Sequence, residues 1–226
     1  MKSILFWIIF TLISFGALAQ KFTLSPALQL SVPQNEYKTA NGDVGFGLRL
    51  NALYRPSEMP VKLGIEVGMQ EKGRATQYFS GNVYGFYDDF RVDATNNIVS
   101  LMFLARFQSA KHKKIKPFVD VTGGWNVFFS TVEVERLTFY SSYNSSYSNS
   151  SKAHWAPAYG GAGGLDISLN KRNEIGLELK VAYLIGAYTK YLTNPYIDGN
   201  GEASFEEKNS RTNMLIPQVG VRINLN

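Results

Sequence analysis

The 226-residue sequence contains no cysteine and only two histidines. The absence of cysteine excludes disulfide bonds, a thiolate metal site and a lipid-anchored amino-terminal cysteine. Beyond residue 19, the sequence has no uninterrupted run of ~18 apolar residues, the length that a membrane-spanning helix needs. The formal net charge is +5, an excess too small to predict an anionic partner, and we expect no nucleic-acid binding.

The first residues have the composition of an export signal. Lys2 precedes an apolar core from Ile4 to Phe15, and Ala17-Leu18-Ala19 fits the small-x-small rule of signal peptidase. This pattern predicts a signal peptide over residues 1–19 and a single mature domain over residues 20–226. A retained membrane anchor is the alternative, which the short apolar run disfavours.

Aromatic residues and glycine are plentiful, with 13 Tyr, 15 Phe and 20 Gly, a composition that favours strands and tight turns. The clearest pattern runs from Glu174 to Tyr188. Its odd-numbered positions are apolar or aromatic, whereas its even-numbered positions include Glu178, Lys180 and two glycines. A period of two residues is that of a β-strand with two chemically different faces.

Seven other segments repeat this alternation, over residues 22–32, 44–54, 61–70, 99–107, 119–129, 159–169 and 214–225. Each has roughly the length that a tilted strand needs to cross a bilayer. The links between them alternate between long and short, so that the short links and both termini fall on one side. The sequence therefore predicts an all-β fold, an eight-stranded antiparallel up-and-down transmembrane β-barrel with short periplasmic turns and longer external loops.

The two faces of the strands differ in size and charge. An eight-stranded barrel has a narrow interior that suits small and paired polar groups, whereas a continuous bulky apolar face exposed to water would exceed what soluble proteins tolerate. We therefore expect the apolar face to contact lipid. The mixed face then carries a predicted lumenal charge network, whose nearly balanced signs favour a closed lumen over a pore: Arg49, Lys62, Glu66, Arg106, Asp120, Asp166, Glu178, Lys180 and Arg222.

Aromatic residues of the apolar face are predicted to form girdles at both membrane interfaces. Phe22, Tyr54 and Phe107 fall near the short-turn side, and Trp125 and Tyr159 fall towards the other side.

The signal ending in Ala-Leu-Ala-Gln, the eight alternating strands and the closing segment IPQVGVRINLN resemble the small outer-membrane β-barrel proteins of Bacteroidetes, the group that includes the PorT-like barrels. The resemblance implies residence in the cell outer membrane, contact with outer-membrane lipid and insertion by the barrel-assembly machinery. The last strand is similar to the carboxy-terminal signal that this machinery recognises, which usually ends in an aromatic residue, whereas this chain ends in Leu225-Asn226. The resemblance supplies no catalytic motif.

Candidate catalytic residues are few. His112 lies in a basic turn, and His154 lies near Ser150 and Ser151 without the fixed spacing that a nucleophile and its base require. The glycine-rich run over residues 160–164 lacks the Lys-Ser/Thr pair of a phosphate-binding loop and is more typical of strand glycines at barrel bends. We expect no enzymatic activity and no cofactor or metal.

The loop FYSSYNSSYSNSS, residues 139–151, is the most distinctive external segment. Its Tyr, Ser and Asn content is favoured in adaptable binding surfaces, although a solvated loop has the same composition. We interpret it, with the residues that follow, as a possible binding loop for an unknown extracellular ligand or envelope protein, formed by Tyr140, Tyr143, Tyr147, His154 and Trp155.

The function predicted from the sequence is that of an integral outer-membrane barrel with a packed polar lumen, either structural or binding through its external loops. Three alternatives stay open: a narrow porin-like channel, a lipid-modifying enzyme that uses His154, and a soluble secreted barrel that carries an apolar ligand.

Overall fold

The fold is taken from a computed structural model, which describes residues 22–56, 59–83, 86–109, 114–137, 146–150, 153–170, 172–197 and 203–225. The predicted signal peptide lies outside these residues. Within them, no helix is long and apolar enough to cross a membrane.

Eleven strands and one short helix make up the described chain. In chain order they are β1 (Phe22–Pro33), α1 (Asn35–Ala40), β2 (Gly45–Tyr54), β3 (Val61–Val83), β4 (Phe86–Gln108), β5 (Ile115–Leu137), β6 (Ser146–Ser150), β7 (His154–Ser168), β8 (Ile175–Gly186), β9 (Tyr188–Ile197), β10 (Ala203–Arg211) and β11 (Met214–Leu225).

Eight of these strands close into a barrel. They lie in the order β4, β3, β2, β1, β11, β8, β7 and β5, and the pairing of β4 with β5 closes the ring. Every neighbouring pair is antiparallel, including the seam where β1 meets β11. The predicted fold class is confirmed. Closure leaves the barrel without a free sheet edge, as a strand structure in a bilayer requires.

The two ends of the barrel are unequal. At one end, which we call the short-turn end, brief links join β2 to β3, β4 to β5 and β7 to β8, and β1 starts there and β11 ends there. At the other end, the long-loop end, the connections carry α1, β6 and the β9–β10 hairpin.

Sequence alternation underestimates how far three strands extend. The predicted link over residues 71–95 is instead the continuation of β3 and β4, paired as far as Val83 and Phe86. Gly73, with φ +85°, introduces a bulge that shifts the register and lets the pairing resume at Arg74. The side chains in these extensions of β3 and β4 are largely polar, so they show no hydrophobic alternation. They bond to each other between the two strands instead: Ser80 Oγ donates to Asp89 Oδ1 at 2.7 Å.

Beyond the barrel, β5 continues to Leu137 beside β4, and β6 pairs with it, within a region that the sequence predicts as a link. We call the outer parts of β3, β4 and β5, together with β6, the projecting sheet. The β9–β10 hairpin folds over its inner side. Phe205 of that hairpin packs with Val92 and Ala94 in a second, smaller apolar core.

Candidate functional site

The outer face of the barrel is an apolar belt. Ten of its side chains, drawn from seven of the eight barrel strands, are 43–63% exposed: Leu28, Leu48, Leu50, Leu63, Val67, Phe103, Val119, Val121, Val181 and Val219. At the same level the lumen-facing residues are buried, so that the chain is polar inside and apolar outside. A surface of this kind needs lipid as its solvent, and the fold is that of a transmembrane β-barrel.

Aromatic side chains occupy both rims of this belt, as the girdle prediction requires. Phe22 and Tyr54 lie with ring centroids 5.3 Å apart at the short-turn end. Trp125 and Tyr159 point outward nearer the long-loop end, where they are 42% and 63% exposed.

All nine residues of the predicted lumenal charge network lie inside the barrel, and each is at most 5% exposed. Six of them form one continuous central network across the lumen. Arg49 pairs with Glu66, and Lys180 Nζ lies 2.6 Å from Glu66 Oε2 and 3.1 Å from Asp120 Oδ2. The guanidinium of Arg106 then bridges Asp120 to Glu178.

Arg106 is the centre of this network. Its three guanidinium nitrogens donate four hydrogen bonds, of 2.7–2.9 Å, to the carboxylates of Asp120 and Glu178. The guanidinium carbon also lies 3.7 Å from the ring centroid of Phe118. Bidentate pairing of this kind is geometrically demanding and charge-assisted, so it fixes two carboxylates in a buried site.

A second, separate pair lies closer to the short-turn end. Arg222 Nε donates to Asp166 Oδ1 at 2.7 Å, and Gln108 Nε2 donates to the other carboxylate oxygen at 3.1 Å. Arg222 also donates to Asn173, to its backbone and its side-chain oxygens, each at 2.9 Å.

The sequence pattern predicts Asp166 and Arg222, on the neighbouring strands, as partners of Glu178 and Lys180, but Asp166 and Arg222 pair with each other. Asp166 is the register partner of Glu178, which places two like charges side by side. Lys180 and Glu178 instead reach across the narrow lumen to Glu66 and Arg106. Cross-lumen contacts cannot be derived from a strand pattern, since they depend on the closure of the barrel.

Sequence alternation misses two cations at the short-turn end. Lys116 is 6% exposed and shares the lumen face of β5 with Asp120. The predicted strand starts at Val119, but β5 starts at Ile115, and extending the same alternation would have placed Lys116 inside. Arg55 directly follows β2 in a segment that the sequence predicts as a turn.

The lumen is not polar throughout, which corrects the expectation of a uniformly polar interior. Its long-loop half is filled by a buried apolar cluster that contains Ile98, Met102, Phe128, Ala156, Ala158, Ala162, Ala182, Leu184, Met214 and Ile216. The central network and the separate pair of Arg222 and Asp166 lie closer to the short-turn end. Towards the long-loop end, alanines and larger apolar residues take their place and fill the narrow space.

An aromatic lock closes the long-loop mouth. Tyr37 of α1, Phe128 of β5 and Tyr191 of β9 meet there, with ring centroids 5.1–6.4 Å apart. All three side chains are at most 4% exposed. The hydroxyl of Tyr191 lies 2.7 Å from that of Ser210, which ties the lock to β10.

Lys72 lies beside this lock, two residues beyond the predicted membrane-spanning segment 61–70. Its ammonium lies 3.7 Å from the ring centroid of Tyr37 and donates to the backbone oxygen of Asn41 at 3.2 Å. Burial lowers the pKa of Lys72 to about 7, an effect that the carboxylate of Asp43 partly opposes. Burial also raises the pKa of Tyr37, so that its hydroxyl stays protonated.

The predicted binding loop lies largely outside the described residues. Tyr140 and Tyr143 fall in the undescribed stretch, and Tyr147 is described through its backbone in β6 alone. His154 is half-buried at the start of β7, whereas Trp155 points outward and is 65% exposed. Trp155 therefore belongs to the outer face of the barrel. The described part of the chain also brings together no cluster of His, Asp or Glu that could hold a metal ion.

Closed strand order, apolar belt and filled lumen together define an eight-stranded transmembrane β-barrel. No family model and no curated protein sequence matches this chain.

Among solved structures, the fold is similar to that of Neisserial surface protein A, at 12% identity and a TM-score of 0.48, with 90% of this chain and 96% of that chain covered. It is also similar to Ail, the attachment invasion locus protein of Yersinia pestis, at 12% identity and a TM-score of 0.43, over 90% of this chain and 99% of that chain. A major outer membrane protein from Thermus thermophilus has 11% identity and a TM-score of 0.38, over 88% of this chain and 98% of that chain.

Proposed function

We propose that this protein is an integral barrel of the bacterial outer membrane, closed to ion flow, which holds an external β-structure as a binding surface. In this proposal the short-turn end faces the periplasm and the long-loop end faces the outside. The observation that carries it is the filled lumen, since ion pairs occupy one half and an apolar cluster occupies the other.

The filled lumen disfavours a narrow channel. An ion would have to break the pairs of Arg106 and then cross the buried aromatic lock of Tyr37, Phe128 and Tyr191. The soluble carrier is disfavoured by the same geometry, because its apolar cavity would have to lie inside, whereas the exposed apolar surface of this barrel lies outside. Assignment to the PorT-like barrels of Bacteroidetes stays a prediction from the sequence.

Two measurements test this part of the proposal. Fractionation with a comparison of boiled and unboiled samples on a gel should place the protein in the outer membrane and reveal a heat-dependent mobility. Reconstitution in planar bilayers should give no stepwise current. A soluble periplasmic protein without heat-dependent mobility would contradict the membrane assignment, and stepwise conductance of the native chain would contradict the closed lumen.

We also propose that the protein is not an enzyme. His154 is the residue on which a lipid-modifying activity would depend, and its electrostatic neighbour on the hairpin is Glu207. His154→Ala should therefore leave the mass spectrum of lipid A unchanged. A change in acylation or headgroup that depends on His154 would establish the enzymatic alternative.

The binding surface that we propose is the free edge of the projecting sheet. β3 pairs with β2 only as far as Glu71, but it pairs with β4 as far as Val83. Within the described residues, the stretch from Arg74 to Val83 therefore has a strand partner on one side alone. This stretch has a single charged residue and no proline, and such an edge accepts an extended segment of another protein.

A photoreactive amino acid tests this edge in intact cells. Tyr78 lies on it and is 66% exposed, so a photoreactive side chain at that position should form a discrete protein adduct. The matched control is Tyr159, which is 63% exposed on the apolar belt and should form no protein adduct of that size. Identical adduct patterns at the two positions, or none at position 78, would contradict binding along this edge.

A further inference from the structure

The charges of the lumen do not cancel at the short-turn end. In the central network, Arg49, Arg106 and Lys180 balance Glu66, Asp120 and Glu178. The separate pair of Arg222 and Asp166 is also neutral as a unit. Three cations remain in the described part of this region: Arg55, Lys62 and Lys116.

The three cations lie at the same end of the barrel: Lys62 is the second residue of β3, Lys116 is the second residue of β5, and Arg55 directly follows β2. Arg55 acts electrostatically on both Lys62 and Lys116, and the pair of Asp166 and Arg222 acts on the same two lysines. Lys62 and Lys116 are 5% and 6% exposed, so water reaches little of either side chain.

Their polar contacts leave them under-satisfied. The ammonium of Lys62 donates to the hydroxyl of Thr23 at 3.3 Å, which supplies no negative charge. Nε of Arg55 is buried without a hydrogen bond among the described residues, and the anion that acts on Lys116 is Asp166. A buried cation without a counter-charge is costly, and such groups normally have an anionic partner.

The barrel itself does not supply this partner from its described residues. Asp166 is the register partner of Lys116, yet its two carboxylate oxygens already accept hydrogen bonds from Arg222 and Gln108. The remaining lumenal carboxylates belong to the central network, where each contacts at least one cation.

We propose that the short-turn mouth, formed by Arg55, Lys62 and Lys116, binds a phosphate group. A free phosphate or a phosphate monoester carries about −1.5 to −2 charges at pH 7, so it offsets three cations better than one carboxylate does. The planar fork of Arg55 is suited to two phosphate oxygens, and the two lysines supply point charges. The phosphate comes from one of two sources, a free phosphate in solution or the phosphate monoester headgroup of a lipid, as in phosphatidic acid, at that rim of the bilayer.

The test uses the folded mature chain in an uncharged detergent and inorganic phosphate as the titrant in calorimetry. We expect saturable binding that weakens at least ~10-fold in Lys116→Met, which keeps the length of the side chain and removes its charge. Lys190→Met is the matched control, since Lys190 is an exposed lysine of the external hairpin, and it should bind phosphate as the native chain does. Heat-dependent gel mobility verifies that each variant is folded.

Arg55→Met provides a second variant for the case in which Lys116→Met does not fold, because Arg55 lies outside the strands and is half-buried. It should weaken phosphate binding by a similar factor. A parallel titration with a short-chain phosphatidic acid distinguishes the sources: affinity at least ~10-fold above that of inorganic phosphate identifies a lipid headgroup, and equal or lower affinity identifies free phosphate. Absence of binding by both titrants, or equal affinity in native and variant chains, would overturn the proposal.

Discussion

The two halves of the lumen are held together by different forces, although the same eight strands form both. In the short-turn half, Arg106 and its partners are buried as ions, and Arg106 contacts Asp120 on the neighbouring strand and Glu178 across the lumen. In the long-loop half, Met102, Leu184 and Ile216 pack together and fill the lumen. In the charged half, each residue needs particular oppositely charged partners, whereas in the apolar half the volume of each side chain matters most.

This difference has a consequence for how the halves respond to substitution. A buried ion pair contributes little net stability, but removal of one partner leaves the other as an unpaired charge in a medium that cannot solvate it. An apolar side chain that is shortened leaves a cavity, whose cost depends on how far its neighbours relax. Conservative substitutions should therefore reduce stability strongly in the charged half and only slightly in the apolar half. Drastic substitutions should reduce stability in both.

The largest effect is expected for Arg106→Met. This substitution removes all four hydrogen bonds to Asp120 and Glu178 and leaves Glu178 without a contacting cation among the described residues. Loss of one partner of a buried pair costs about 3–5 kcal/mol. Urea unfolding in lipid vesicles, followed by tryptophan fluorescence, should show a stability reduced by this amount.

Arg106→Lys should be nearly as harmful, since an ammonium cannot reproduce the two bidentate contacts of the guanidinium. A triple variant, Arg106→Met with Asp120→Asn and Glu178→Gln, removes the unpaired negative charges and should recover part of the lost stability. If the triple variant were less stable than Arg106→Met alone, the unpaired carboxylates would not be the cause of the destabilisation.

The apolar half should behave in the opposite way towards conservative change. Met102 is completely buried, and Met102→Ala should cost about 2–5 kcal/mol through the cavity that it leaves. Met102→Leu keeps the volume and should cost less than about 1.5 kcal/mol. The same unfolding measurement checks both variants. Equal losses for Leu and Ala at this position would show that shape, and not volume, controls this half of the lumen.

Much of the barrel is predictable from the sequence because its physics is local. Alternation along Ile175–Gly186 assigns Leu179 and Val181 to the outer face and Glu178 and Lys180 to the lumen. Partner choice is not local. Arg106 and Glu178 are 72 residues apart and meet only because the barrel closes, so no strand pattern contains their contact.

The projecting sheet cannot be predicted from the sequence for another reason. Thr76 and Asp93 belong to paired strands of the projecting sheet, and their side chains bond to each other across it. Hydrophobic alternation cannot find a strand whose cross-strand contacts are polar. Lys116 is missed because the predicted strand starts at Val119, whereas the lumen face already includes Lys116. Arg55 is missed because it follows the last residue of β2.

Lys72 gives a pH-dependent test at the border of the apolar half. Its pKa in the fold, about 7, lies below the ordinary value for an unfolded chain, so the unfolded state binds more protons between these values. Stability should therefore rise with pH from about 7 towards 10. Above about 10 the raised pKa of Tyr37 acts in the other direction, because the unfolded tyrosine ionises first and stability falls. In Lys72→Met, the increase in stability between about pH 7 and 10 should disappear, and the decrease above about pH 10 should remain. If the increase persists in this variant, another titrating group causes it.

The smallest effect is expected for an ion pair with the same chemistry but full exposure. Lys190 Nζ lies 2.7 Å from Glu207 Oε1 across the β9–β10 hairpin. Glu207 raises the pKa of Lys190, and Lys190 lowers the pKa of Glu207, but water solvates either charge when its partner is lost. Lys190→Met and Glu207→Gln should therefore leave the unfolding midpoint of the barrel unchanged within error, in low and in high salt. If either variant lost as much stability as Arg106→Met, burial would not explain why lumenal ion pairs are more sensitive to substitution than external ones. The difference between the two halves of the lumen would then have a cause other than burial.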